Sequence, residues 1–117
     1  MKKENLYYNP ETWGLEQIAH LELAGGYEFD TYVAWKNAEG EIFWAHDSGC
    51  SCPIPFQDYK EIKELSIIRD YSGWDELHRE LGSRVIGGGY SAENFQEFLS
   101  SVREHWNAWS RKRNRIT

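Results

Sequence analysis

The residues best able to do chemistry lie within one segment of eight. It combines an imidazole, a carboxylate, hydroxyls and two thiols, in the order His46-Asp47-Ser48-Gly49-Cys50-Ser51-Cys52-Pro53. Zinc favours thiolate and imidazole ligands, so Cys50, Cys52 and His46 are candidate ligands, with another histidine of the chain as a fourth. The chain holds only these two cysteines, whereas structural zinc sites normally use a second pair.

Three other interpretations of this segment compete with a metal site. A Cys50–Cys52 disulfide is the weakest of them, because closing so small a ring strains the bond. A Cys50 thiolate activated by His46 could act as a nucleophile, but proximity in sequence does not make a catalytic pair. In the structural interpretation, Asp47 and Ser48 accept hydrogen bonds from backbone amides in a tight loop. Gly49 there adopts a positive φ, Pro53 ends the loop and the cysteines pack as small apolar groups. We favour this interpretation, which requires no cofactor, and the sequence contains no motif that names a reaction, so we predict a non-enzyme.

The elements that position this segment begin with a strand. Apolar and polar residues alternate from Tyr27 to Trp35, which is typical of a half-buried strand. Residues 37–40 then supply turn residues, and Glu41 to His46 predicts the next strand. Upstream, residues 15–23 predict a first strand, with a helix as the alternative. The pattern indicates a three-stranded antiparallel meander over about residues 14–47.

The second half of the chain predicts two or three helices, and hence an α+β fold. A weakly helical stretch covers about residues 58–66, and a short helix covers 72–82, between Ser72 as N-cap and Gly82. The last helix, at about 91–113, has Ser91 as its cap and an apolar stripe at helical spacing. We predict one domain over residues 1–117, with an N-terminal arm at 1–12 and a frayed basic tail at 111–117.

Aromatic residues are unusually frequent. The chain has six Trp, seven Tyr and five Phe against a single Met. Rings occur on both faces of the predicted sheet, so the second face is covered either by the N-terminal segment or by a partner. If a partner covers it, Tyr32, Trp35 and Trp44 form the contact surface. The pattern therefore predicts binding of a protein partner or self-association.

Charge is unevenly distributed along a chain whose net charge is −6. The tail holds only basic charges, at Arg111, Lys112, Arg113 and Arg115. Such a cluster is a candidate surface for nucleic acid, a nucleotide or an acidic partner. No run of about 20 apolar residues occurs, and the first residues lack the apolar core of a signal peptide, so we expect no membrane contact and a cytosolic location.

Three runs of the sequence resemble a group of small uncharacterised proteins encoded by actinobacterial phages. They are residues 27–35, 44–53 and 55–59, and the resemblance covers about residues 14–60. Its most specific part is the block from Asp47 to Pro53, whereas Gln57 stands where the group usually has an acidic residue. The resemblance implies a phage accessory protein in the cytoplasm of the infected host and carries over no catalytic residue. Our leading hypothesis is that it binds a host or phage macromolecule.

Overall fold

The computed structural model describes residues 2–24, 27–50, 54–88 and 92–114. Four antiparallel strands form one sheet in the order β1-β2-β3-β4, which is also their order in the chain. The strands are β1 Glu16–Glu22, β2 Glu28–Lys36, β3 Ile42–Cys50 and β4 Ser66–Ile68, and the two helices are α1 Tyr71–Gly88 and α2 Ala92–Asn114. Among the described residues, neither helix has the length and apolar character needed to cross a bilayer.

The sheet confirms the predicted α+β class and extends the predicted meander by one strand. β1 is a strand, so its helical alternative is wrong, and a bulge between Gln17 and Ala19 shifts its register against β2. The turn between β2 and β3 forms as predicted, with Gly40 at φ 87°. The Asn37 carboxamide oxygen accepts the backbone N–H groups of Glu39 and Glu41, at 3.1 and 2.9 Å, which fixes the turn.

The helix predicted at 58–66 is wrong. Residues Ile62–Glu64 form a single 3-10 turn, which reciprocal hydrogen bonds between Glu61 and Glu64 close at its start. The next residues form β4, where Ile68 pairs with Ile42 and Ser66 with Trp44. Two adjacent β-branched isoleucines suit a strand, and the β3 edge supplies the hydrogen bonds that three residues cannot make alone.

Helix α1 differs from its prediction at both ends. It begins at Tyr71, and the Asp70 carboxylate accepts the N–H of Gly73 at 3.2 Å, so Asp70 rather than Ser72 caps it. It continues through Gly82 to Gly88, because the burial of Leu77 and Leu81 against the sheet outweighs the low helix propensity of Gly82. The predicted cap of α2, Ser91, lies outside the described residues.

Apolar side chains cover both faces of the sheet. On one face α1 and α2 pack over the sheet, in a core that includes Tyr32, Trp44 and Phe98. On the other face the N-terminal segment and residues 54–65 cover the sheet, through Leu6, Trp13, Phe56 and Leu65, which are 0–7% exposed. The chain itself therefore covers the second face, as the first of the two alternatives predicted.

Candidate functional site

The segment that carries the candidate ligands is mostly strand. His46, Asp47, Ser48, Gly49 and Cys50 complete β3, and Cys50 pairs with Glu28 at the start of β2. The predicted loop conformation is therefore wrong for these residues, and Gly49 is not among the described glycines with positive φ. The nine-residue β2 offers partners along its whole length, which keeps β3 extended. Ser51, Cys52 and Pro53 lie outside the described residues.

Asp47 has the structural role that the sequence predicted. Its carboxylate accepts the N–H of Ser48 at 3.0 Å and that of Phe56 at 2.7 Å. Phe56 is buried and has φ 62°, a left-handed conformation that costs free energy in any residue but glycine. The hydrogen bond to Asp47 holds this backbone in place, so Asp47 fixes the return of the chain onto the second face of the sheet.

The two described candidate zinc ligands, His46 and Cys50, lie apart. Four residues of extended strand put their Cα atoms about 13 Å from each other, which opposes binding of one ion by both side chains. The Nε2 atom of His46 lies 2.5 Å from the Asp30 carboxylate. Within the part of the chain that the structure describes, no group of three or more His, Cys, Asp or Glu is placed to bind a metal.

His46 belongs instead to a polar cluster that joins β2, β3 and α1. The Arg84 guanidinium donates to both carboxylate oxygens of Asp30, and the His46 ring stacks on Tyr32 at 4.4 Å between centroids. Burial favours the neutral acid of Asp30, but the hydrogen bonds from Arg84 and His46 outweigh it and lower the pKa of the carboxyl. The Tyr32 hydroxyl donates to Glu80 at 2.8 Å. The polar groups of this cluster therefore form hydrogen bonds with one another, which is typical of a cluster that stabilises the fold.

The predicted aromatic contact surface is also corrected. Tyr32 and Trp35 are 0% exposed and Trp44 is 6% exposed, so none of the three rings can meet a partner in the folded chain. The reason is that the chain covers both faces of the sheet, whereas the prediction needed one face to be open. Of the basic residues proposed for the tail, Arg111 is exposed on α2. The side chains of Lys112 and Arg113 and the whole of Arg115 lie outside the described structure.

An open aromatic cleft lies between the first two turns of α1 and the middle of α2. It has a volume of about 580 Å³ and is lined by Tyr71, Trp74, Asp75, His78, Arg103, Trp106 and Asn107. Trp74 and Trp106 meet at 90° with 5.6 Å between centroids. Tyr71 lies 5.9 Å from Trp106 and is 77% exposed, so its ring remains available to a ligand.

Hydrogen-bond donors border these rings. The Arg103 guanidinium lies 5.6 Å above the Trp74 ring, and within the described residues it has no ion pair. The Asn107 carboxamide also lines the cleft and is exposed, whereas the indole N–H of Trp106 is buried and a ligand in the cleft cannot reach it. Rings combined with arginine are typical of the anchors of binding interfaces. The cleft can therefore bind a planar or apolar group together with a hydrogen-bond acceptor.

The sequence pattern did not reveal this cleft, because an apolar stripe such as that of α2 is expected to lie wholly in the core. Trp106 is in fact only partly buried, at the side of the stripe. One signal was present, since Arg103, Asn107 and Arg111 recur at intervals of four residues and must share one face of α2. The position of Tyr71 opposite that face depends on how α1 packs against α2.

Fold and cleft together define a small α+β protein with a meander sheet, two covering helices and an open aromatic cleft between those helices. The chain belongs to the family described as a domain of unknown function, DUF7574, whose profile matches residues 4–111. Comparison with curated proteins and with solved structures found no match.

Proposed function

We propose that this chain is a phage accessory protein that binds a host or phage macromolecule in the cytoplasm of the infected bacterium, through the cleft between α1 and α2. The observation that carries the proposal is the 77% exposure of Tyr71 beside Trp106, in a protein that buries four of its six tryptophans. An exposed ring at a cleft supplies contact area at low conformational cost. The resemblance of residues 14–60 to actinobacterial phage proteins supports the phage origin.

Binding fits the polar groups of the molecule better than catalysis does. Asp30, His46 and Arg84 bond to one another, and Arg84 spans both oxygens of the carboxylate. A catalytic acid or base needs a free position from which to exchange a proton with substrate. The cleft, by contrast, combines rings with the donors of Arg103 and Asn107, a composition that favours recognition.

Site-specific photo-cross-linking tests the proposal. A benzophenone amino acid replaces Tyr71 in the chain produced inside infected cells, and in a matched variant it replaces Tyr27, which is 85% exposed. Tyr27 precedes β2 at the end of the sheet near Arg84, whereas Tyr71 lies beside β4 at the other end. We expect a defined adduct from position 71 that Arg103→Glu abolishes, and no such adduct from position 27.

Two outcomes contradict the proposal. One is the absence of any adduct at position 71 when the variant unfolds at the same temperature as the parent chain. The other is the same adducts from positions 71 and 27, since a nonspecific surface would give that result. Lys63→Glu, at an 83% exposed side chain, is the control for the change in net charge and should leave the adduct intact.

A further inference from the structure

Two arginines and an asparagine occur at helical spacing along α2, and the first two of these three residues in the chain line the cleft. Arg103, Asn107 and Arg111 lie at i, i+4 and i+8, so they share one face of the helix. A rise of 1.5 Å per residue separates the first and last of them by about 12 Å along the axis. Arg103 and Arg111 are both exposed, and the Arg103 guanidinium lies over the Trp74 ring. These two separated cations suit a ligand with at least two negative charges better than one with a single carboxylate.

The exposed ring lies on the opposite wall. Tyr71 opens α1 and meets Trp106 at 60°, so one ring face stays open to the solvent. Any of the nucleobases can stack on such a ring. Proteins that bind single-stranded nucleic acid without sequence preference combine this stacking with a positively charged groove. We infer that the ligand of the cleft is a single-stranded nucleic acid, with a base on Tyr71 and phosphates along Arg103 and Arg111. This inference rests on the proposed function.

The acidic remainder of the chain does not oppose such a local site. At physiological ionic strength exposed charges are screened beyond about 8 Å, and the molecule is 49 Å long. The carboxylate that lines the cleft, Asp75, is on α1. It repels phosphates from that wall and directs them towards α2. Duplex nucleic acid fits less well, because its bases are stacked inside and cannot reach Tyr71.

Fluorescence anisotropy with labelled oligonucleotides of about 12 nucleotides, a length within single-strand site sizes, tests the inference. The probes are oligo-deoxythymidine, oligo-uridine, a mixed-sequence duplex and a glutamate dodecapeptide, each in 50 mM and 200 mM salt. We expect both single strands to bind at least about tenfold more tightly than the duplex and the peptide. Each phosphate contact should contribute about −0.7 to the slope of log K against log salt.

Variants separate stacking from charge. Tyr71→Ala should weaken binding by about tenfold with an unchanged salt slope, because it removes a stacked base. Arg103→Ala should make the slope less negative by about 0.7, because it removes one phosphate contact. Tyr27→Ala and Lys63→Ala, at side chains away from the cleft, should bind as the parent chain does. Thermal unfolding of every variant confirms that it is folded.

Three results would overturn the inference: no binding of either single strand, duplex binding of equal strength, or single-strand binding that Tyr71→Ala leaves unchanged. If the glutamate peptide binds instead and Tyr71→Ala abolishes that binding, the cleft takes an acidic peptide. The nucleic-acid assignment then fails while binding through the cleft stands. If the photo-cross-linker at position 71 forms adducts with protein and none with nucleic acid, the nucleic-acid assignment fails in the same way.

Discussion

Arg84 on α1 donates to both carboxylate oxygens of Asp30 on β2, a residue 54 positions earlier in the chain. The same carboxylate lies 2.5 Å from Nε2 of His46 on β3. This contact ties the second half of α1 to the end of the sheet where β2 begins. The first turn of α1 is tied to the other end by the close approach of Gly73 to Ile68. The helix is thus fixed at two separate points.

Replacing Asp30 by Asn should cost stability in a pH-dependent way. We expect a loss of about 1.5–3 kcal/mol near pH 7, because the charged hydrogen bonds to Arg84 and His46 disappear. The pKa of Asp30 is lower in the folded chain than its ordinary value of 3.8. Its contribution is therefore complete above that value and is lost as the pH falls through the folded pKa.

Urea unfolding near pH 7 and near pH 2.5 measures both effects. The difference between the parent chain and Asp30→Asn should shrink at the lower pH. An equal difference at both pH values would contradict the proposed charge on Asp30.

Replacing Tyr32 by Phe should reduce the loss of unfolding free energy at alkaline pH. Burial, and next the hydrogen bond to the Glu80 carboxylate, raise the pKa of the Tyr32 phenol above its ordinary value of 10.0. A raised pKa gives stability that is complete below about pH 10 and is lost as the pH rises above it. Near neutral pH we expect Tyr32→Phe to cost about 1 kcal/mol for the lost hydrogen bond.

Urea unfolding of the parent chain and of Tyr32→Phe between about pH 9 and pH 11.5 checks this. The pKa values of Tyr7 and Tyr59 are also raised, so part of the alkaline loss remains in the variant. Tyr27→Phe, at an 85% exposed ring, is the control and should follow the parent curve. Parallel curves for the parent chain and Tyr32→Phe would show that the phenol does not carry the effect.

The same substitution at two glycines of α1 should have opposite effects. A Cβ at Gly73 would lie 3.0 Å from the backbone of both Ile67 and Ile68, whereas one at Gly82 meets nothing within 4 Å. Gly82→Ala should stabilise the chain by about 0.5–1 kcal/mol through helix propensity. Gly73→Ala should be less stable than Gly82→Ala by about 1–3 kcal/mol, because α1 must move off β4. Thermal unfolding of the two variants gives the comparison, and equal stabilities would argue against close packing at Gly73.

Removal of the Asp47 carboxylate should destabilise the chain more than removal of its neighbour's hydroxyl. Asp47→Ala leaves the N–H of the buried Phe56 without its acceptor, at a cost of about 1–3 kcal/mol. Asp47→Asn keeps one acceptor oxygen and should cost less. Ser48→Ala, at an exposed position, should stay within about 0.5 kcal/mol. Chemical unfolding ranks the three, and a Ser48→Ala loss as large as that of Asp47→Ala would refute this role.

The elements that could be predicted from the sequence are those whose cause is local. The β2–β3 hairpin follows from alternation over nine residues and from a turn that Asn37 and Gly40 complete by themselves. β4 has only three residues and shows no periodicity, so only its pairing with Ile42 reveals it. The extended course of β3 as far as Cys50 likewise depends on β2, because Gly49 and Ser48 have little strand preference of their own.

The site was harder to predict than the fold. Unusual side chains adjoin in sequence around His46 and Cys50, but in the structure His46 contacts Asp30, 16 residues away. The cleft joins Tyr71 to Trp106 across two helices. Periodicity shows that Trp106 lies near the apolar stripe of α2, but it does not show which part of the ring α1 leaves open.

The strand order also determines when each contact can form during synthesis. Because every strand pairs with the one made just before it, β1, β2 and β3 can assemble as soon as residue 50 has left the ribosome. At that stage Tyr32 and Trp44 still lack α1 and α2, which later cover them. If the three strands pair at that stage, the apolar side chains of both faces still lack part of their cover, because residues 54–65 as well as the two helices are made later, and chaperones or neighbouring chains can reach those side chains.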